Sequence, residues 1–113
     1  MAKVYDNAEV CNNVKVAGDA WVYGYAKVYD NAKIYGKAKV YDNAEVHDDA
    51  KVYEDAEVYN SAEVCDDAMI YGNAWVGGVA QVYGNAKVYG NTWVYDDVMV
   101  YGNAEVYDDD EVY

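Results

Sequence analysis

An aliphatic side chain recurs at every sixth position from Val4 to Val112, and all 19 of these positions are Val except Ile34 and Ile70. Two residues before each stands a small partner (Ala2, Ala8, Ala20, Ala26 and onward), replaced only by Val14, Thr92, Val98 and Asp110. The unit is A-x-V-Y-[DGN]-[ND], and no insertion or deletion shifts its register. Alternation within Ala-x-Val-Tyr puts Ala and Val on one face of a short strand, with x and Tyr on the other. The Gly, Asp and Asn that follow are corner residues: Gly and Asn tolerate positive φ, and Asp and Asn bond their own backbone. The spacing predicts four-residue strands joined by two-residue corners, which excludes helix. Consecutive hairpins would reverse direction after every strand and would need longer strands to hold. Parallel stacking lays every Val over another Val and is the better solution.

This pattern resembles the hexapeptide-repeat family of left-handed β-helices. Val at the aliphatic position and Ala four residues later match that family along essentially the whole chain. The position after Val departs from it, being Tyr at 14 of 19 sites where the family favours a small residue. The chain is also similar to uncharacterised bacterial proteins built of A-x-V-Y-G-N repeats. The resemblance implies an all-β fold: a single left-handed parallel β-helix over residues 1–113, triangular in section, with about six coils of three hexads and neither cap nor loop insertion. Residues 18 apart would then stack about 4.8 Å from one another.

That geometry sorts the outward residues into three faces. The first carries Lys3, Trp21, Lys39, Glu57, Trp75, Trp93 and Glu111 beside Tyr5, Tyr23, Tyr41, Tyr59, Gly77, Tyr95 and Tyr113. All three tryptophans fall on it. The second face holds Cys11, Tyr29, His47 and Cys65 in one column, and the third is a column of tyrosines from Tyr35 to Tyr107. Stacked aromatic pairs contribute about 0.5–1.5 kcal/mol each beyond area burial. They matter here because the interior is expected to consist only of the 19 aliphatics and their small partners.

Composition narrows the function. The chain has no Pro or Phe, and no Leu or Arg, but 15 Tyr and a net charge of −13. Such acidity argues against nucleic acid, whose phosphates need Lys and Arg, and against anionic membrane surfaces. Its direct effect is solubility for an aromatic-rich surface. No apolar run is long enough to span a membrane, and the repeat starts at Ala2, leaving no room for a signal peptide. Cys11 and Cys65 lie three coils apart, about 14 Å, so both thiols should be free within one chain.

Chemistry has few candidates. In the hexapeptide acyltransferases, which the resemblance brings in, a histidine serves as general base beside a loop that shapes an acceptor pocket. His47 is the single histidine, yet the period never slips to supply such a loop. Cys65 falls one coil beyond it; a charged imidazole there lowers a thiol pKa, but without a pocket or an oxyanion donor the favoured reading is a tolerated substitution in the column. Asp30-Asn31, Asp48-Asp49 and Asp66-Asp67 stack at one corner and offer hard oxygens for weak Ca²⁺ binding. No cofactor is expected. Ice-binding members of the fold present ladders of Thr, whereas this chain has one, Thr92, facing inward.

The aromatic surface is the stronger lead. Trp21, Trp75, Trp93, Tyr59 and Tyr95 are the candidate binding residues, with Gly77 expected to leave a shallow recess among them. Large aromatic patches mark interfaces, so the expectation is a non-enzymatic structural or interaction solenoid that forms a homo-oligomer. The alternatives are a degenerate hexapeptide-type acyltransferase and a fragment or designed scaffold. The last follows from the open ends, since solenoids usually carry caps. The acidic run Asp108-Asp109-Asp110-Glu111 would act there against strand addition.

Overall fold

Each hexad turns one corner, and three corners return the chain to its starting direction. In the computed structural model, which describes residues 1–107 and the strand Glu111–Val112, this produces a parallel β-solenoid of about six turns. The acidic run Asp108 to Asp110 and Tyr113 fall outside the described residues. Nineteen strands form three sheets, one of seven strands and two of six, and every strand pairs in parallel with the strand three hexads away. Lys3 lies beside Trp21, Val4 beside Val22, and Trp75 beside Trp93. Among the described residues there is no helix, and hence none long and apolar enough to cross a membrane. The long dimension is 30 Å.

The strands are shorter than expected: only the x and Val of each unit are strand, as in Lys3–Val4 or Glu57–Val58. Tyr already belongs to the corner. In the first unit the Ala8 N–H donates back to the Tyr5 carbonyl at 3.3 Å, closing a four-residue turn. The ladder between coils nevertheless runs on through the corner, because the N–H groups of Lys3, Tyr5 and Asn7 donate to the carbonyls of Ala20, Val22 and Gly24. The first corner residue has positive φ in every unit from Asp6 to Gly102. Gly, Asn and Asp take that conformation at low cost. Glu54, with φ at 58°, has no such intrinsic preference and is held there by the coils around it.

The interior is a column of Ala and Val with no larger filler than Ile34 and Ile70. From Ala20 to Val94 the inward positions are fully buried, Thr92 included, and its hydroxyl donates to the Tyr89 carbonyl at 2.7 Å. The expectation of 19 buried aliphatics fails in the first coil. Val4 and Val10 are 46% and 36% exposed, and Val16 is half-buried. A Val in that coil packs against one neighbouring layer and not two. Val106 is likewise half-buried, although Val100 remains in the core.

Candidate functional site

Two surfaces hold the residues singled out from the sequence: an acidic corner beside His47, and the sheet that carries the tryptophans.

At the acidic corner the first residue of each turn sits at positive φ, which aims its side chain along the solenoid axis. Asp30 accepts a hydrogen bond from the Asp48 N–H at 3.3 Å, Asp48 from the Asp66 N–H at 3.2 Å, and Asp66 from the Gly84 N–H at 3.0 Å. The same ladder runs up the other corners, where Asp42 accepts from Asn60, Glu54 from Gly72 and Asn60 from Gly78. These N–H groups would otherwise lack a partner in the coil-to-coil ladder, so the carboxylates complete the backbone. Sequence reasoning missed this device. Its signal is an Asp, Asn or Glu at the first corner position, 18 residues before another corner.

An open groove of about 980 Å³ runs along this corner, lined by Asp30, Asp48, Asp49, Asp66 and Asp67 with neighbouring asparagines. Asp49 and Asp67 face it without joining a close ligand cluster. The donor atoms that come within 4.8 Å of one another are mixed sets: Asp30 with His47 and Asp48, Asp48 with Cys65 and Asp66, and His47 with Glu63 and Cys65. Ca²⁺ takes six to eight oxygens, which none of these trios offers.

His47 replaces one rung of an aromatic column. Its ring stacks on Tyr29 with centroids 4.6 Å apart and an interplanar angle of 1°. Its Nε2 meets Glu63 Oε2 at 2.8 Å, and Nδ1 lies 3.5 Å from Asp48 Oδ2. Tyrosines make the same bond to the x residue 16 positions on: Tyr41 donates to Glu57 at 2.8 Å and Tyr89 to Glu105 at 3.1 Å. Burial alone would pull the imidazole pKa down, but the bond to Glu63 and the charges of Asp48 and Glu63 outweigh it and raise it above 6.5. Cys65 does lie beside His47, as register demands. Its thiol is not activated: burial, then the charges of Asp66, Glu63 and Asp48, push it up to about 11. A thiol raised in this way fits Cys65 as a substituted rung of the column and not as an activated nucleophile. Cys11 and Cys65 are both free.

The tryptophan sheet is the seven-stranded one, and its outward column reads Lys3, Trp21, Lys39, Glu57, Trp75, Trp93 in successive coils. Trp75 and Trp93 stack with centroids 5.2 Å apart and an interplanar angle of 3°, and Trp93 is 45% exposed. Trp21 stands apart from that pair, between the ammonium groups of Lys3 and Lys39, each 5.4 Å from its ring. In the neighbouring column Tyr5, Tyr23, Tyr41 and Tyr59 stack successively. The recess expected at Gly77 is absent. Tyr59 leans over that residue, with its Cζ 2.5 Å from where a Cβ would stand, and meets Trp75 edge-on at 6.1 Å. Gly77 is therefore the residue that lets Tyr59 close the gap in the column. Tyr95 continues the column beyond it.

The family model described as the YdcK beta solenoid repeat matches residues 62–78 and 80–96. No curated protein and no solved structure matches the chain. Over those two stretches the chain is similar to a known β-solenoid repeat, in agreement with the fold.

Proposed function

We propose that this β-solenoid repeat protein is a non-enzymatic interaction solenoid that associates with itself through the tryptophan face. The observation that carries this reading is the Trp75–Trp93 pair: two indoles stacked in register on a flat sheet, the outer one 45% exposed. Trp and Tyr dominate interface energetics when a partner covers them, and contiguous apolar patches on soluble proteins mark interfaces. The acidic corner supports the non-enzymatic half of the reading. There His47 makes the rung bond that Tyr41 makes elsewhere, and the Cys65 thiol is pushed up to about 11.

Sedimentation tests the proposal. Wild-type protein should sediment as more than one copy at high concentration and raised salt, where the repulsion between copies of charge −13 is screened. Trp75→Lys combined with Trp93→Lys should weaken association at least tenfold. A wild type that stays monomeric under those conditions overturns the reading. Saturable stabilisation by an acyl-CoA would favour the degenerate acyltransferase instead.

A further inference from the structure

The charges on the tryptophan face are segregated along the solenoid axis. Toward the N-terminal end the face and its leading edge carry Lys3, Lys37 and Lys39 around Trp21, with the Asp19 carboxylate paired to the N-terminal ammonium; toward the other end they carry Asp55 and Glu57 before Trp75 and Trp93. Lys37 and Asp55 are exposed and one coil apart; Lys39, over the Trp21 ring, and Glu57, which accepts from Tyr41, are half-buried and likewise one coil apart. Yet among the described residues no ion pair joins any lysine to a carboxylate. Asp19 and Asn73 stand exposed on the same leading edge, three coils apart.

Resting on the self-association reading, we infer that the partner is a second copy of this chain, packed face to face and antiparallel about a two-fold axis between the third and fourth coils. An axis that lies in the face and runs along the strands reverses the solenoid while keeping each edge against the same edge of the partner. Residues then meet across coils three and four, and across coils two and five. Lys37 opposes Asp55, and Lys39 opposes Glu57, each twice. Trp21 opposes Trp75, and Asp19 opposes Asn73. Tyr23 opposes Gly77 and the Tyr59 ring that leans over it. The like-charge meeting this creates, Asp6 with Asp96, lies at the outer ends.

The register is selective. Sliding one copy by a single coil moves the axis onto coil three, where Lys37 and Lys39 meet themselves, or onto coil four, where Asp55 and Glu57 do. Like charges placed opposite one another are costly at an interface. A face about 30 Å long offers an area toward the lower end of specific interfaces. Charge complementarity therefore selects the register more than area does.

Cysteine cross-linking tests the arrangement. With Cys11→Ser and Cys65→Ser as background, Asp19→Cys and Asn73→Cys chains are purified separately, mixed, and treated with a short thiol-reactive cross-linker. Within one chain the two positions are about 14 Å apart, too far for a direct bond. The inference expects linkage between position 19 of one copy and 73 of the other, at least tenfold faster than 19 to 19 or 73 to 73. Homo-links that form as fast as hetero-links overturn it. The charge swap gives a second readout: Lys37→Glu with Lys39→Glu should weaken association at least tenfold, and adding Asp55→Lys with Glu57→Lys should restore it. Failure to restore in a chain of unchanged circular dichroism overturns the register. If the wild type still sediments as a dimer, the self-association reading survives that failure. If it is monomeric throughout, both fall.

Discussion

The corner beside His47 and the tryptophan face have the same backbone geometry and opposite fates for their side chains. At the corner, Asp30, Asp48 and Asp66 each accept from a backbone N–H one coil on, and His47 bonds Glu63. Residues that look like chemistry in the sequence are there engaged in joining coil to coil. On the tryptophan face and its leading edge, Lys37, Lys39, Asp55 and Trp93 are directed outward, and none of the lysines is in an ion pair among the described residues. In a solenoid whose coils repeat, a side chain that finds its neighbour's backbone serves the fold. One that finds only its own copy one coil away remains available to a partner.

The strongest way to test that division is to violate the interior both regions rest on. Val58 is fully buried in the middle of the tryptophan sheet. Val58→Asp places a charge where nothing can pair with it and should cost more than about 4 kcal/mol, abolishing the cooperative thermal transition seen by circular dichroism. The outward neighbour change Glu57→Gln should shift stability by only about 0.5 kcal/mol or less.

Next in size is the acidic corner itself. Asp48→Ala removes the acceptor for the Asp66 N–H and puts Ala at a φ of 60°, so it should cost about 1–2 kcal/mol in denaturant unfolding. Asp49 faces the same groove without such a bond and should tolerate Ala within about 0.5 kcal/mol. Equal losses would show that the corner carboxylates are not distinguished by backbone capping. On the tryptophan face, Gly77→Ala should destabilise by about 1–2 kcal/mol, because the new methyl displaces the Tyr59 ring.

A pH series gives the smallest effect. The His47 pKa is raised in the folded state above 6.5, so folding favours its protonated form. That stabilisation is fully present below about pH 6.5 and is lost as pH rises through the raised folded value. His47→Gln should flatten the stability curve across that window and leave it unchanged well above. A wild-type curve already flat there would mean that Glu63 and Asp48 do not hold the proton.

The period of six carried the fold. Val every sixth residue, with Ala two before it, sufficed for three parallel sheets at an 18-residue register, and the same count put all three tryptophans on one sheet. Gly and Asn pointed to the corners, though not to Glu54 at positive φ, a conformation imposed by stacking. What lay beyond the sequence depends on side-chain direction. The corner carboxylates run along the axis to the next coil's N–H, and Tyr41 reaches Glu57 at a separation of 16, one coil on and two residues back. Gly77 looked like a gap until Tyr59 was seen to fill it. The spacing put Cys65 beside His47, but not the burial and the three surrounding carboxylates that push its thiol up.

The central claim, that partners meet the tryptophan face, has a built-in reporter, since Trp21, Trp75 and Trp93 are the only tryptophans of the chain and all lie on that sheet. Their emission and acrylamide quenching, followed from nanomolar to high micromolar protein, measure the exposure of that face and of nothing else. Association through it predicts a blue shift and reduced quenching that rise together with the sedimenting mass. Mass that grows while emission and quenching stay constant, or a mass that never grows, would contradict it.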